Sequence, residues 1–179
     1  MKDSSRLALG GLSASLSLTL MLLTYVLPIL TYTSPAFAGA VLLVMVCEVD
    51  SRWSWITYTA VSLLSLLLLS DKEAAVMYAV FFGYYPILLP FLNTRVRPAA
   101  LRWVIKFLIF NAAVVSAYYV LINVMGLTIE GLKEHGSIVL WAGLAALNLL
   151  FVLYDRMLVV FFTVYKNKWS KSFRKLFKR

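Results

Sequence analysis

Six stretches of this chain are apolar and almost free of charge, and the short polar breaks between them carry nearly all of its acidic and basic residues. In hydrocarbon a chain must satisfy its backbone N–H and C=O groups internally, so stretches of this kind are confined to helices packed within a bilayer. The first runs from about Leu7 to Leu30, the second from Pro35 to Cys47 and the third from Trp53 to Leu69. The fourth covers Ala74–Leu92 and the fifth Leu101–Gly126; the sixth covers Ile138–Tyr154, with an apolar extension to Tyr165. The pattern predicts an all-α polytopic membrane protein: a six-helix transmembrane domain over residues 1–165 and a basic amphipathic tail over 166–179. Barrel strands would need alternating segments of about ten residues, which these continuous runs do not supply. The second segment is short. Its thirteen residues reach about 20 Å, or about 25 Å with Thr31–Ser34 added, against a hydrocarbon core of about 30 Å. Five helices with a re-entrant segment is the alternative.

Composition and charge agree with a bilayer. Of 179 residues 62% are hydrophobic and 14% charged, where a soluble domain carries about a quarter of its residues charged. A net charge of +9 on a soluble protein would suggest nucleic acid. Here the basic residues flank apolar segments, so anionic lipid is the expected partner and nucleic acid is not. With the N-terminus inside, Lys2, Arg6, Arg52, Arg95, Arg97, Arg102, Lys106 and the seven cations of the tail are cytoplasmic; Lys72 and Lys133 lie outside and Arg156 lies near the membrane. That asymmetry predicts a multi-pass protein of the cell (plasma) membrane with both termini cytoplasmic. Ala36-Phe37-Ala38 before Gly39 has the form of a signal-peptidase site, but the preceding apolar run is too long for a signal h-region of roughly 7–15 residues.

Three groups of residues stand out. Gly10, Ser13, Ala14 and Ser17, with Thr24, share one face of the first segment, and small residues let helix backbones approach closely in lipid. That face packs against another helix of the chain or docks a partner subunit. In the sixth segment Trp141, Asn148 and Asp155 recur every seven residues. Asn148 would be costly against lipid, which turns this face inward. Glu48, Arg102, Lys106 and Asn111 fall at a similar depth near the inner ends of the second and fifth segments. A charge-paired cluster of these residues with Asp155 and Arg156 is therefore expected, holding the bundle together or serving transport. On the outer half, Tyr25, Tyr32, Tyr78, Tyr118, Tyr119, Asn123 and Trp141 would line an aromatic substrate pocket or form an interfacial belt. Pro86, in Phe81-Phe82-Gly83-Tyr84-Tyr85-Pro86, removes a backbone donor and predicts a kink. The tail places Trp169, Phe173, Leu176 and Phe177 on one face among lysines and arginines, the pattern of a helix lying on anionic lipid.

Enzyme signatures are missing from the sequence. One histidine, His135, stands near Glu130 and Glu134 without metal-ligand spacing, and Cys47 is the only cysteine. Nucleophile-elbow, zincin, phosphate-loop and Cys-x-x-Cys motifs are absent. No catalysis, metal or cofactor is expected.

The stretch from Arg6 through Gly10, Gly11, Ser13, Ala14 and Ser15 to Ser17, set in six segments with both ends inside, resembles the substrate-binding S components of energy-coupling-factor vitamin transporters. The resemblance covers the whole chain in outline. Gly10–Ala14 and Gly11–Ser15 stand where that family carries Ala-x-x-x-Ala. It implies a membrane coupling subunit docked on the first helix, an outward cavity for a small nutrient, and energy supplied by partners. A non-catalytic membrane scaffold or assembly factor is the alternative reading. The charge asymmetry makes a prediction: a cysteine placed at Lys72 reacts with a membrane-impermeant maleimide added to intact cells, whereas one placed at Arg97 reacts only after lysis. Equal labelling of both in intact cells would refute the orientation.

Overall fold

A computed structural model of the protein describes residues 3–124, 126 and 137–169, with the side chains of residues 28, 137–142 and 169 not among those described. Every regular element among the described residues is helical. Helix α1 spans Asp3–Val26 and is followed by a 3₁₀ turn at Pro28–Leu30; α2 spans Thr33–Glu48 and α3 Ser51–Leu68. Next come α4 (Lys72–Met77), a π-helical segment (Tyr78–Phe82) and α5 (Tyr85–Arg95). Helix α6 covers Ala99–Tyr119 with a π turn at Val120–Val124, and α7 covers Ser137–Val164 with a π turn at Tyr165–Trp169. Among the described residues four helices are long and apolar enough to cross a membrane: Asp3–Val26, Lys72–Arg95, Ala99–Val124 and Gly143–Lys168. Helix α2 is apolar and shorter, at about 24 Å from its rise.

The surface has the character expected of lipid contact. Leu12, Leu16, Leu64, Leu108, Leu149 and Leu153 are among many large apolar side chains turned outward. Hydroxyls on that surface fold back onto their own helices: Ser15 donates to the Gly11 carbonyl, Thr59 to Trp55 and Thr163 to Val159, at 2.8–2.9 Å. Such bonds satisfy the hydroxyl without water.

Small residues set how closely the first helices pack. α1 lies along α2 and α3. Ser17 donates to the Ala38 carbonyl at 3.0 Å, and Ser34 donates to the Leu20 carbonyl. A Cβ on Gly10 would come within 3.3 Å of Thr57 Oγ1. At the other end of these helices Thr31 donates to Asp71 at 2.8 Å, joining the α1–α2 and α3–α4 connections. Asp71 also caps α4 by accepting from the Ala74 N–H.

At the predicted kink the hydrogen-bond ladder of the fourth segment is interrupted, while the backbone stays helical through Gly83 and Tyr84. Gly83 N–H reaches back five residues to the Tyr78 carbonyl at 2.8 Å, and the chain turns through Gly83–Tyr84 before α5 begins. The π register takes Gly83 away from the Ala79 carbonyl, which accepts from the Tyr58 hydroxyl at 2.5 Å instead. Pro86 has no N–H to give the carbonyl of Phe82 four residues earlier, and Gly39 of α2 lies against that carbonyl. A Cβ at Gly39 would overlap it. Backbone cannot yield as a flexible side chain does, so Gly39→Ala is expected to destabilise the protein by about 1–3 kcal/mol. Gly11→Ala, where an added Cβ meets nothing within 4 Å, is the control. Thermal unfolding of both variants in detergent measures the difference, and equal midpoints would count against this account of the break.

Candidate functional site

The break delivers Tyr85, the first residue of α5, into the centre of an aromatic cluster between α6 and α7. Phe81 and Tyr85 stack with ring centroids 4.8 Å apart, and Phe110 and Phe151 stack at 4.6 Å. Tyr154 of α7 meets Phe82 edge-on at 5.2 Å. Beside this cluster lies the one ion pair between helices among the described residues. Lys106 Nζ of α6 stands 2.6 Å from Asp155 Oδ1 of α7, and the two side chains are 3% and 2% exposed. The Tyr85 hydroxyl donates to the same oxygen at 2.5 Å. Three helices therefore meet on one carboxylate oxygen. A lysine and an aspartate withdrawn from water this far are tolerated only because each has the other and a further donor completes the carboxylate.

Farther along the same two helices a neutral pair repeats the pattern. Asn111 donates to Asn148 at 3.0 Å and Asn148 donates back at 3.3 Å, while their remaining amide hydrogens go to the Phe107 and Leu144 carbonyls. All four amide N–H groups are thus used. Trp103 closes the other side: Lys106 Nζ lies 5.2 Å and Arg156 Cζ 5.4 Å from its ring centroid.

The expected polar cluster is thus partly assembled. Lys106 with Asp155 and Asn111 with Asn148 come together as the spacing implies, whereas Arg156 faces outward beside Trp103. Arg102 is half-buried one turn before Lys106, and Glu48 is half-buried at the end of α2. Neither shares the contacts of Asp155. Asp155 is buried inside the bundle, because Tyr85 and Lys106 reach it from two other helices. Helix α7 runs on to Val164, in line with the apolar extension of the sixth segment to Tyr165. Tyr85 was not among the residues the sequence singled out. Its position immediately before Pro86 in an aromatic run was the available signal.

The small-residue face of α1 is spent within the chain: Gly10, Ser13 and Ser17 are buried, and Ala14 packs on the core formed with α2 and α3. The aromatic residues expected to line an outer pocket are dispersed. Tyr78 is fully buried in the core, whereas Tyr25 is 77% exposed and Tyr118, Tyr119 and Asn123 face outward. Of these, Tyr119 borders an open groove along α6 lined also by Leu108, Asn111, Ala112, Val115 and Ser116. Tyr32 is tied down in the connecting turn, donating to Glu73 at 2.5 Å. The side chain of Trp141, residues 127–136 with Glu130, Lys133, Glu134 and His135, and the tail beyond Trp169 lie outside the described residues. No group of acidic, histidine and cysteine residues fit to hold a metal occurs among the described residues.

The chain matches no family model, no curated protein and no solved structure.

Two outcomes follow from this geometry. Asp155→Leu leaves the Lys106 charge buried and is expected to cost about 3–5 kcal/mol, while Lys106→Met combined with Asp155→Leu recovers most of it. Thermal unfolding in detergent measures both, and a double variant no more stable than the single one would contradict the pairing argument. The Tyr32 phenol is pushed up to about 12, first by burial, then by the hydrogen bond to Glu73 and the charges of Glu73 and Asp71. The fold thus favours the neutral phenol, so this contact supports the structure below the ordinary value of 10.0 and is lost as pH rises through about 12. Spectrophotometric titration against Tyr32→Phe should isolate that phenol, and Glu73→Gln should shift its ionisation downward.

Proposed function

We propose that the protein is a non-enzymatic component of a small-solute transport system in the cell membrane, in which the π-interrupted α4–α5 segment is the moving part and the Tyr85–Asp155–Lys106 contact holds one of its positions. One observation carries this reading: a buried ion pair and its tyrosine partner coincide with a π-helical interruption of the hydrogen-bond ladder in a helix long enough to cross a membrane. Intramembrane ionisable groups mark solute and ion pathways, and interrupted helices supply the sites of many transporters. The sequence has no nucleotide-binding motif, so energy would come from a partner subunit, as the resemblance to vitamin-transporter S components implies. Six spans with both termini cytoplasmic belong to the same proposal. They rest on the positive-inside count and on the meeting of the two connections at Thr31 and Asp71.

A second reading, a membrane scaffold or assembly factor, is favoured by a different observation: Tyr78 is buried in the core while Tyr25, Tyr118 and Tyr119 are exposed. Native mass spectrometry of the protein purified from its own membranes separates the two. A retained small organic molecule or a co-purifying ATP-hydrolysing complex supports transport. A chain bearing neither, with partners that neither bind nor hydrolyse nucleotides, supports the scaffold. If the transport reading holds, Lys106→Met with Asp155→Leu should fold, retain partners and fail to restore growth of a deletion strain on limiting nutrient.

A further inference from the structure

Arg156 is placed where a charge needs a reason. It lies on the outward face of α7 in an apolar stripe formed by Leu153, Met157 and Val160, all exposed. Among the described residues no carboxylate lies within ion-pair distance of it, and the neighbouring Asp155 is committed to Lys106. Its depth follows from that pair. Lys106 is seven residues into α6, which starts at Ala99, so it stands about 10 Å along the helix from its start, just after the Arg95–Arg97 turn. Asp155 is at the level of Lys106, so Arg156 stands about two turns from that end of α6, within the range over which a long arginine side chain snorkels to the membrane interface. Trp103, half-buried at the same level, is of the residue type that favours this interface.

The guanidinium is held at 5.4 Å from the centre of the Trp103 ring. Stacking on an aromatic face leaves the in-plane N–H donors of arginine unspent, and those donors match two oxygens of a phosphate. Lys106 lies against the same ring but is paired with Asp155, which leaves Arg156 as the cation at this ring with no carboxylate partner among the described residues. We propose that Arg156, stacked on Trp103, binds the phosphate of an anionic phospholipid in the leaflet on the side of the Arg95–Arg97 turn, with an acyl chain lying along Leu153, Met157 and Val160. The apolar stripe identifies the ligand as a lipid rather than free phosphate, because only a lipid covers both parts of the surface. The site is separate from the basic tail and does not depend on the transport reading.

The test uses the full chain in nanodiscs of phosphatidylcholine with or without phosphatidylglycerol. Native mass spectrometry after detergent exchange counts retained lipid. The wild type should keep phosphatidylglycerol in preference to phosphatidylcholine, and Arg156→Ala should lower that retention by about tenfold, the scale of one charge-assisted hydrogen bond. Arg156→Lys should retain an intermediate share, and inorganic phosphate should not displace the lipid. Unchanged thermal unfolding in lipid-free detergent shows that the variants are folded; Trp103→Leu, if also folded, should reproduce the loss. Equal retention by wild type and Arg156→Ala, no preference between the two lipids, or displacement by inorganic phosphate would each overturn the proposal.

Discussion

The contact of Lys106 with Asp155 fixes how the second half of the bundle is put together. A charge in an apolar interior has few acceptable positions, and each member of this pair makes the other acceptable. The pair sets the register of α6 against α7, and its repetition as Asn111–Asn148 farther along shows that the two helices meet on matched polar positions. The same oxygen of Asp155 binds Tyr85, so the start of α5 is held to that register as well. Aromatic rings surround the contact and exclude water from it.

The break in the fourth segment is the counterpart of this arrangement on the backbone. A π register and a proline release carbonyls that an unbroken helix would satisfy, and within a bilayer such groups must be met by protein. Tyr58 meets the one at Ala79, while Gly39 makes room for the one at Phe82. Helices α2 and α3 therefore accommodate the interruption that α5, α6 and α7 use. Gly39 has its small size for this reason, and its place in Ala36-Phe37-Ala38-Gly39 reflects packing between α2 and the break.

The exposed Arg156 fits the same logic of compensation. Asp155 and Arg156 are neighbours in sequence, yet they point in different directions because successive helix residues are about 100° apart. One is buried in a salt bridge and the other stacks on Trp103 at the surface. The indole thus borders both the buried pair and the exposed arginine.

Much of this protein is legible in its sequence. The apolar runs determined an all-helical fold, and the positions of the helices follow the polar breaks to within a few residues, because hydrocarbon leaves the backbone no alternative. The seven-residue spacing of Asn148 and Asp155 placed them on one inward face, and the proline marked the region of the break. What the sequence could not decide was partnership. Gly10, Ser13 and Ser17 suit an external helix as well as an internal one, and only the packing of α2 and α3 shows them used inside. Tyr25, Tyr32, Tyr78, Tyr118 and Tyr119 look alike as amphipathic rings; burial alone separates Tyr78 in the core from those facing outward. The importance of Tyr85 and the burial of Asp155 arise from contacts between residues seventy positions apart. Helical periodicity assigns a face to each residue, but only tertiary structure decides what stands opposite it.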